Sequence, residues 1–148
     1  MPRFAILEHH WNGVHWDFLL EAGESLRTWA IHEPIVRGRI VPADALPDHR
    51  LAYLEYEGPV SNGRGRVARV DAGIYEPLIW TEQHIRGWLQ GSQFVGAFEL
   101  REWSAGADSG VSTGSAAGSN SGEGGTTLDL SLGRETRPRW TFCFGNFD

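Results

Sequence analysis

A single cysteine, Cys143, among 148 residues excludes an internal disulfide and suits a reducing cytoplasm. Its apolar strand context predicts an inert, buried thiol. No apolar run approaches the roughly 18 residues that a bilayer span needs, so no membrane partner is expected. The stretch after Met1-Pro2-Arg3-Phe4 lacks the long apolar run of a secretory leader, so none is expected. Basic residues are scarce, 13 against 19 acidic, for a formal charge of −6. That balance excludes loose binding along nucleic acid, which rests on phosphate neutralisation. A basic patch on one face stays compatible with it. Absent too are a glycine-rich phosphate loop, a serine nucleophile elbow and zinc-finger spacing.

Glycine and tryptophan are abundant instead, at 19 and 7 residues, and point to a turn-rich aromatic β fold. The length suits one domain, 1–148, with a core of its own. Residues 4–11 and 14–21 are expected as strands around Asn12-Gly13, because that dipeptide accepts the positive φ of a tight hairpin. Residues 26–31 alternate as a strand, and 51–56 form another. Residues 33–50 hold Pro34, Pro42 and Pro47 and are expected as a loop with at most one helical turn, near 43–46. Short strands are expected at 67–70 and 73–75, a strand or short helix at 82–88, and strands at 94–103 and 139–144. Residues 104–127, almost all Ser, Gly, Ala, Thr and Asn, are expected as a flexible loop, since they carry too little apolar area to offset ordering. The fold expectation is mainly β: a small closed or partly closed β-barrel with short helical turns.

Chemistry concentrates in Glu8-His9-His10-Trp11-Asn12-Gly13-Val14-His15-Trp16-Asp17, which holds three of the six histidines. Residues two apart on a strand share a face, so His15 and Asp17 point the same way. Imidazole nitrogen with carboxylate oxygen suits manganese, zinc or iron. The neighbouring strand must supply a third ligand. A strict two-residue turn offers His10; one extra loop residue offers His9. Spacing alone leaves both open, and the same residues also serve as plain cross-strand histidines. Trp11 and Trp16 flank them as packing residues or base platforms. His49 and Tyr53 are ordinary surface residues on local grounds. Arg39, Arg50, Arg64 and Arg66 are candidate phosphate contacts, with Arg37 alongside. His32 and His84 show no partner in the sequence.

Together the segments His9-x5-His15-Trp16-Asp17-Phe18-x-Leu20-Glu21, Leu26-Arg27-Thr28-Trp29-Ala30, Asp48-His49-x-Leu51-x-Tyr53-x3-Glu57-Gly58 and Asp71-x-Gly73-x-Tyr75 resemble the 3′-phosphoesterase domain of bacterial DNA ligase D. The resemblance runs from about Phe4 to Tyr75 and more weakly to Arg101 and the last strand. It implies a small barrel that uses manganese to trim 3′-terminal ribonucleotides and 3′-phosphates at DNA ends. It implies His9, His15 and Asp17 as metal ligands, and so a hairpin connection longer than Asn-Gly. It implies His49 and Tyr53 as phosphate-contacting, catalytic residues. Implied partners are DNA or RNA-tipped DNA 3′ ends and a DNA ligase or end-binding repair protein, in a cytoplasmic, nucleoid-associated setting. The chain departs from the family at Leu19, where active domains carry arginine, and at Leu7, where a glutamine is common. A lost guanidinium contact is of order 1.5–3 kcal/mol. Two other expectations compete: a non-catalytic barrel that binds a metal, an anion or a nucleic-acid end, and a phosphoesterase for small phosphodiesters. A basic groove around the hairpin favours nucleic acid; a narrow neutral pocket favours the small substrate.

Overall fold

The computed structural model describes residues 1–103 and 139–145. The glycine/serine-rich 104–127 segment lies outside the described residues. Nine strands are described: β1 (Arg3–His10), β2 (Val14–Ala22), β3 (Ser25–Ile31), β4 (Ile40–Arg50), β5 (Gly58–Pro59), β6 (Arg66–Trp80), β7 (His84–Gly91), β8 (Val95–Trp103) and β9 (Arg139–Phe144). They run antiparallel in the order β1-β2-β3-β4-β9-β8-β7-β6, and β6 pairs back onto β1. The result is a closed eight-stranded barrel with β5 appended to β6. Closure leaves the eight barrel strands no free edge.

Alternation along the strands fills the barrel with Phe4, Ile6, Phe18, Leu20, Trp29 and Ile31, joined by Ile85, Leu89, Phe98, Leu100, Trp140 and Phe142 from the far wall. The opposite faces of β1 and β2 are apolar as well. Ala5, Leu7 and Leu19 join Leu26, Leu54 and Val67 in a second cluster on the outside, with Leu51, Tyr53, Tyr56 and Val60 packed against it. The 51–60 segment is thus a cover laid over the barrel wall, and this cover shapes the site.

Three expectations are corrected. Residues 40–50 form a strand, not a loop. Both prolines fit because neither removes a ladder donor. The Pro42 carbonyl accepts from the His32 N–H at 3.3 Å, so its nitrogen also faces just past the end of β3. Pro47 sits where the β3–β4 register slips between Leu26 and Thr28, in a stretch with no β9 partner among the described residues. Residues 51–54 form a 3-10 turn rather than a strand, because they pack on the outer cluster with no ladder to join. Residues 67–70 and 73–75 belong to one strand, β6, bent by extra residues at Val70 and Leu78. Such bulges supply the curvature that closure requires.

One carboxylate ties this bend down. Asp71, 3 % exposed, accepts backbone N–H bonds from Ser92, Gln93 and Phe94 at 2.7–2.9 Å and so holds the β7–β8 turn. Gly73 lets β6 approach β7, since a Cβ there would lie 2.1 Å from the Gln90 carbonyl oxygen. The Tyr75 hydroxyl donates to the Glu21 carbonyl at 2.7 Å, and burial pushes its pKa up to about 12.

Candidate metal centre

The connection between β1 and β2 is a three-residue loop, Trp11-Asn12-Gly13, with φ of 57° at Asn12 and 112° at Gly13. It therefore pairs His9 with His15 and Leu7 with Asp17. His9, His15 and Asp17 share the outer face of the barrel, above the second apolar cluster. His10 faces the other way, 3.4 Å from Glu8 Oε1. The choice left open by spacing falls on His9.

The three side chains converge. His9 Nδ1 lies 3.4 Å from Asp17 Oδ2, and His15 Nε2 lies 2.8 Å from Asp17 Oδ1. One ligand atom from each falls within 4.8 Å of the others. A carbonyl can only accept, so the 2.7 Å contact from His9 Nε2 to the Arg64 carbonyl oxygen fixes the proton on Nε2. Nδ1 is left facing Asp17, as metal-ligating histidines use a backbone carbonyl to set their tautomer. That carbonyl is itself anchored. Gly65, at φ +76°, packs so closely that a Cβ would lie 1.9 Å from the His10 carbonyl oxygen.

Asp17 is 2 % exposed, and its Oδ1 has no aligned hydrogen-bond donor despite the nearby imidazole. A buried carboxylate oxygen in that position costs free energy. Its nearest neighbour is a nitrogen that presents either a misaligned proton or a lone pair. A cation held by these side chains would resolve both problems, and two imidazoles with one carboxylate suit a divalent transition ion. The residues fit such a group. The Asp17 hydrogen bond holds the His9 imidazole above its ordinary pKa, against the effect of burial. Burial pushes the Asp17 carboxyl up, but His15 and His9 outweigh it and hold it below the usual carboxylate range.

A cleft of about 520 Å³ opens over the triad and is walled by β3, β4 and the cover segment. His49 and Tyr53 line it, their rings 5.4 Å apart edge to face. The His49 Nδ1–H donates to the Pro47 carbonyl at 3.0 Å, which leaves Nε2 for other work. Of the candidate arginines, Arg50 and Arg64 line the cleft; Arg39 and Arg66 do not. Arg39 is paired with Glu33 at 3.1 Å. Arg37 lies over Phe144, 4.7 Å from the ring centre. The Arg64 guanidinium is tied to Ser61. Arg50 has no partner among the described residues.

Sequence reasoning missed His32. It lines the same cleft, its Nε2 2.8 Å from Asp44 Oδ2 and its ring centre 6.3 Å from that of His15. The signal is strand pairing, Ile31 with Ala43, which the expected loop at 33–50 concealed. His84 likewise has a partner, Glu99 at 2.5 Å, away from the cleft.

Leu19 and Leu7 explain each other. Both are fully buried in the outer cluster beneath the cover. A guanidinium at position 19 would be buried among Leu7, Leu26, Leu54 and Val67. Leu19→Arg is expected to destabilise the protein by about 3 kcal/mol or more without gaining phosphate affinity. Thermal unfolding and phosphate titration of the variant check this.

Residues 7–102 match the DNA Ligase D 3′-phosphoesterase domain family. The chain is 31 % identical over 84 residues to the multifunctional non-homologous end joining protein LigD of Pseudomonas aeruginosa. It is 35 % identical over 78 residues to the multifunctional non-homologous end joining DNA repair protein LigD of Mycobacterium tuberculosis. These matches take in 51 % and 49 % of this chain but 10 % of each relative's length. With a match that covers most of the chain, this protein belongs to the DNA ligase D 3′-phosphoesterase domain family.

Proposed function

We propose that the cleft is a metal-dependent 3′-phosphoesterase site that trims 3′-terminal ribonucleotides and 3′-phosphates at DNA ends during end-joining repair. The observation that carries this is the convergence of His9, His15 and Asp17 at the floor of a cleft also lined by His49 and Tyr53. Family membership and the end-joining relatives support the same reading. The proposed cofactor is manganese, which supplies Lewis-acid polarisation of a phosphoryl oxygen and acidifies a nucleophilic water. His9, His15 and Asp17 would hold it. His49, its Nδ1–H engaged on Pro47, offers Nε2 to carry a proton to the leaving oxygen. The Tyr53 hydroxyl donates to a phosphoryl oxygen and steadies the charge that develops there. Arg50, which lines the cleft without a partner among the described residues, offers its guanidinium to the phosphate in place of the arginine that Leu19 replaces. A DNA ligase or end-binding repair protein is the proposed partner, in the cytoplasm at the nucleoid.

One observation favours small phosphodiesters as a second reading. The cleft is lined by Asp17, Asp44 and Asp48 against Arg50 and Arg64, so it is no basic groove. A labelled primer–template that ends in one 3′-ribonucleotide or a 3′-phosphate separates the two. Shortening or dephosphorylation that needs manganese and is lost in His15→Ala supports the end-trimming reading. Turnover of a small phosphodiester alone, with the primer untouched, supports the second.

Metal affinity has a sign that can be checked. The ligand form of His9 is unprotonated, and its pKa is raised above about 6.5. Protons therefore compete from above that value downward, and affinity is expected to fall by about tenfold per pH unit or more below it. The metal-free protein is expected to show the opposite trend for this residue. A raised pKa contributes stability below the unfolded value, and that contribution is lost as pH rises through the folded one. Manganese titrations at several pH values, beside metal-free melting of the parent and His9→Gln, test both signs.

A further inference from the structure

We infer that Trp11 is the base-stacking platform of a terminal-nucleotide subsite beside the triad, so that this cleft selects phosphoesters carrying a nucleobase on the adjoining sugar. The inference rests on the phosphoesterase reading of the cleft and names its substrate class.

Trp11 is the first residue of the hairpin loop and lines the cleft, yet 44 % of it is exposed. The loop does not need the indole. Positive φ at Asn12 and Gly13 forms the turn, and the Trp11 backbone N–H closes it on the Gly13 carbonyl at 2.9 Å. Nor does the ring belong to either apolar cluster, whereas Trp16 packs against the barrel core. Its neighbour is the triad itself. The indole and the His9 ring are stacked at 24°, with centres 6.1 Å apart. Gly65 packs against its base, since a Cβ there would lie 2.8 Å from Trp11 Cβ. The indole is therefore held in place at its root and open at its ring. Other exposed tryptophans, Trp80, Trp88 and Trp103, lie on β6, β7 and β8 and line no part of this cleft.

An exposed aromatic plane beside a phosphate-binding centre matches the layout of a nucleotide, in which one sugar separates base from 3′ phosphorus. Stacking is tolerant of base identity because every base presents a π-face. The platform therefore distinguishes nucleotide ends from other phosphoesters without reading sequence. It also offers grip that does not depend on positive charge, which this acidic cleft has little of.

The test combines binding and turnover. The seven tryptophans give seven indole N–H signals in a nitrogen–proton correlation spectrum, and the one lost in Trp11→Phe is assigned to Trp11. In metal-free protein, adenosine 3′-monophosphate is expected to shift that signal, and inorganic phosphate is not. In turnover, Trp11→Leu is expected to raise KM about tenfold for a primer ending in a 3′-ribonucleotide, with kcat changed by less than about twofold. Trp11→Phe is expected to restore most of the affinity. A primer with an abasic 3′-terminal nucleotide is expected to show the raised KM already in the parent and to ignore the substitution. An unmoved Trp11 signal, or a KM that rises equally for base-bearing and abasic ends, overturns the inference. A nucleotide-dependent shift in a protein that trims no end overturns the phosphoesterase reading instead and leaves the base subsite standing.

Discussion

Asp17→Asn is expected to abolish useful metal binding while lowering the stability of the metal-free protein only modestly at neutral pH. The two effects have one cause. The carboxylate is buried, one of its oxygens lacks an aligned donor, and the adjacent nitrogens relieve its charge only in part. Asparagine keeps the shape and removes the buried charge. In the metal-free state this ends a desolvation cost but gives up the attraction of His15 and His9, which together exceed it and hold the carboxyl below its usual range, so a modest loss remains. In the metal-bound state it replaces an anionic ligand by a weak neutral one, and an affinity loss of about 100-fold or more follows, since even outer partners of such ligands are worth 10- to 100-fold. At a metal concentration of about 100 times the parental Kd, the parent gains roughly 2.7 kcal/mol of stability from binding and the variant almost none. Thermal melting with and without manganese reads both halves. A metal-induced rise that survives in Asp17→Asn contradicts the assignment of the triad. A metal-free protein that melts much earlier makes Asp17 a structural residue.

The largest effect away from the cleft is expected at Asp71. Its carboxylate receives three backbone N–H groups from the 92–94 turn, and the site is closed to water. Asp71→Ala leaves those donors without an acceptor beside a small void. Hydrogen bonds to charged groups are worth roughly 1.5–3 kcal/mol each, and the losses overlap, so a total near 3–5 kcal/mol is expected. For a chain of this size that is roughly a 10–20 °C drop in melting temperature. Manganese affinity of the folded fraction should stay near parental, because Asp71 lines no part of the cleft. Urea unfolding paired with metal titration separates the two quantities. Stability within about 1 kcal/mol of the parent would show that water takes over the three donors.

Asp71-x-Gly73-x-Tyr75 carried part of the family resemblance, with no chemical role assigned to it. In the fold its three members hold a turn, admit a close strand and anchor a hydroxyl. Nothing local distinguishes a carboxylate that binds cations from one that binds backbone amides. The difference lies in what the chain returns to place opposite it.

Much of the site was legible without coordinates. The two-residue period put His15 and Asp17 on one face, the Asn12-Gly13 dipeptide marked the hairpin, and dense glycine and tryptophan indicated a small barrel. The four motifs in combination were specific enough to find the family, which no one of them was alone. The histidine choice was not decidable from the pattern, for a physical reason. β1 and β2 are apolar on both faces. Pairing Phe4 and Ile6 with Leu20 and Phe18 satisfies one register, and pairing Ala5 and Leu7 with Leu20 and Phe18 satisfies the other. Burial alone scores the two alike. Pairing of β1 onto β6, with a glycine-backed loop reaching the His9 ring, selects the first. The same holds for β4, whose prolines lie only where no donor is needed; that depends on where β3 and β9 end. Residue identity and spacing along one strand thus determined that His15 and Asp17 share a face. Partners distant in sequence decided which histidine meets His15 and Asp17, that His32 and Asp44 line the same cleft, and that Leu19 lies sealed beneath the cover, because each of those rests on the barrel closing and the 51–65 segment folding back over its wall.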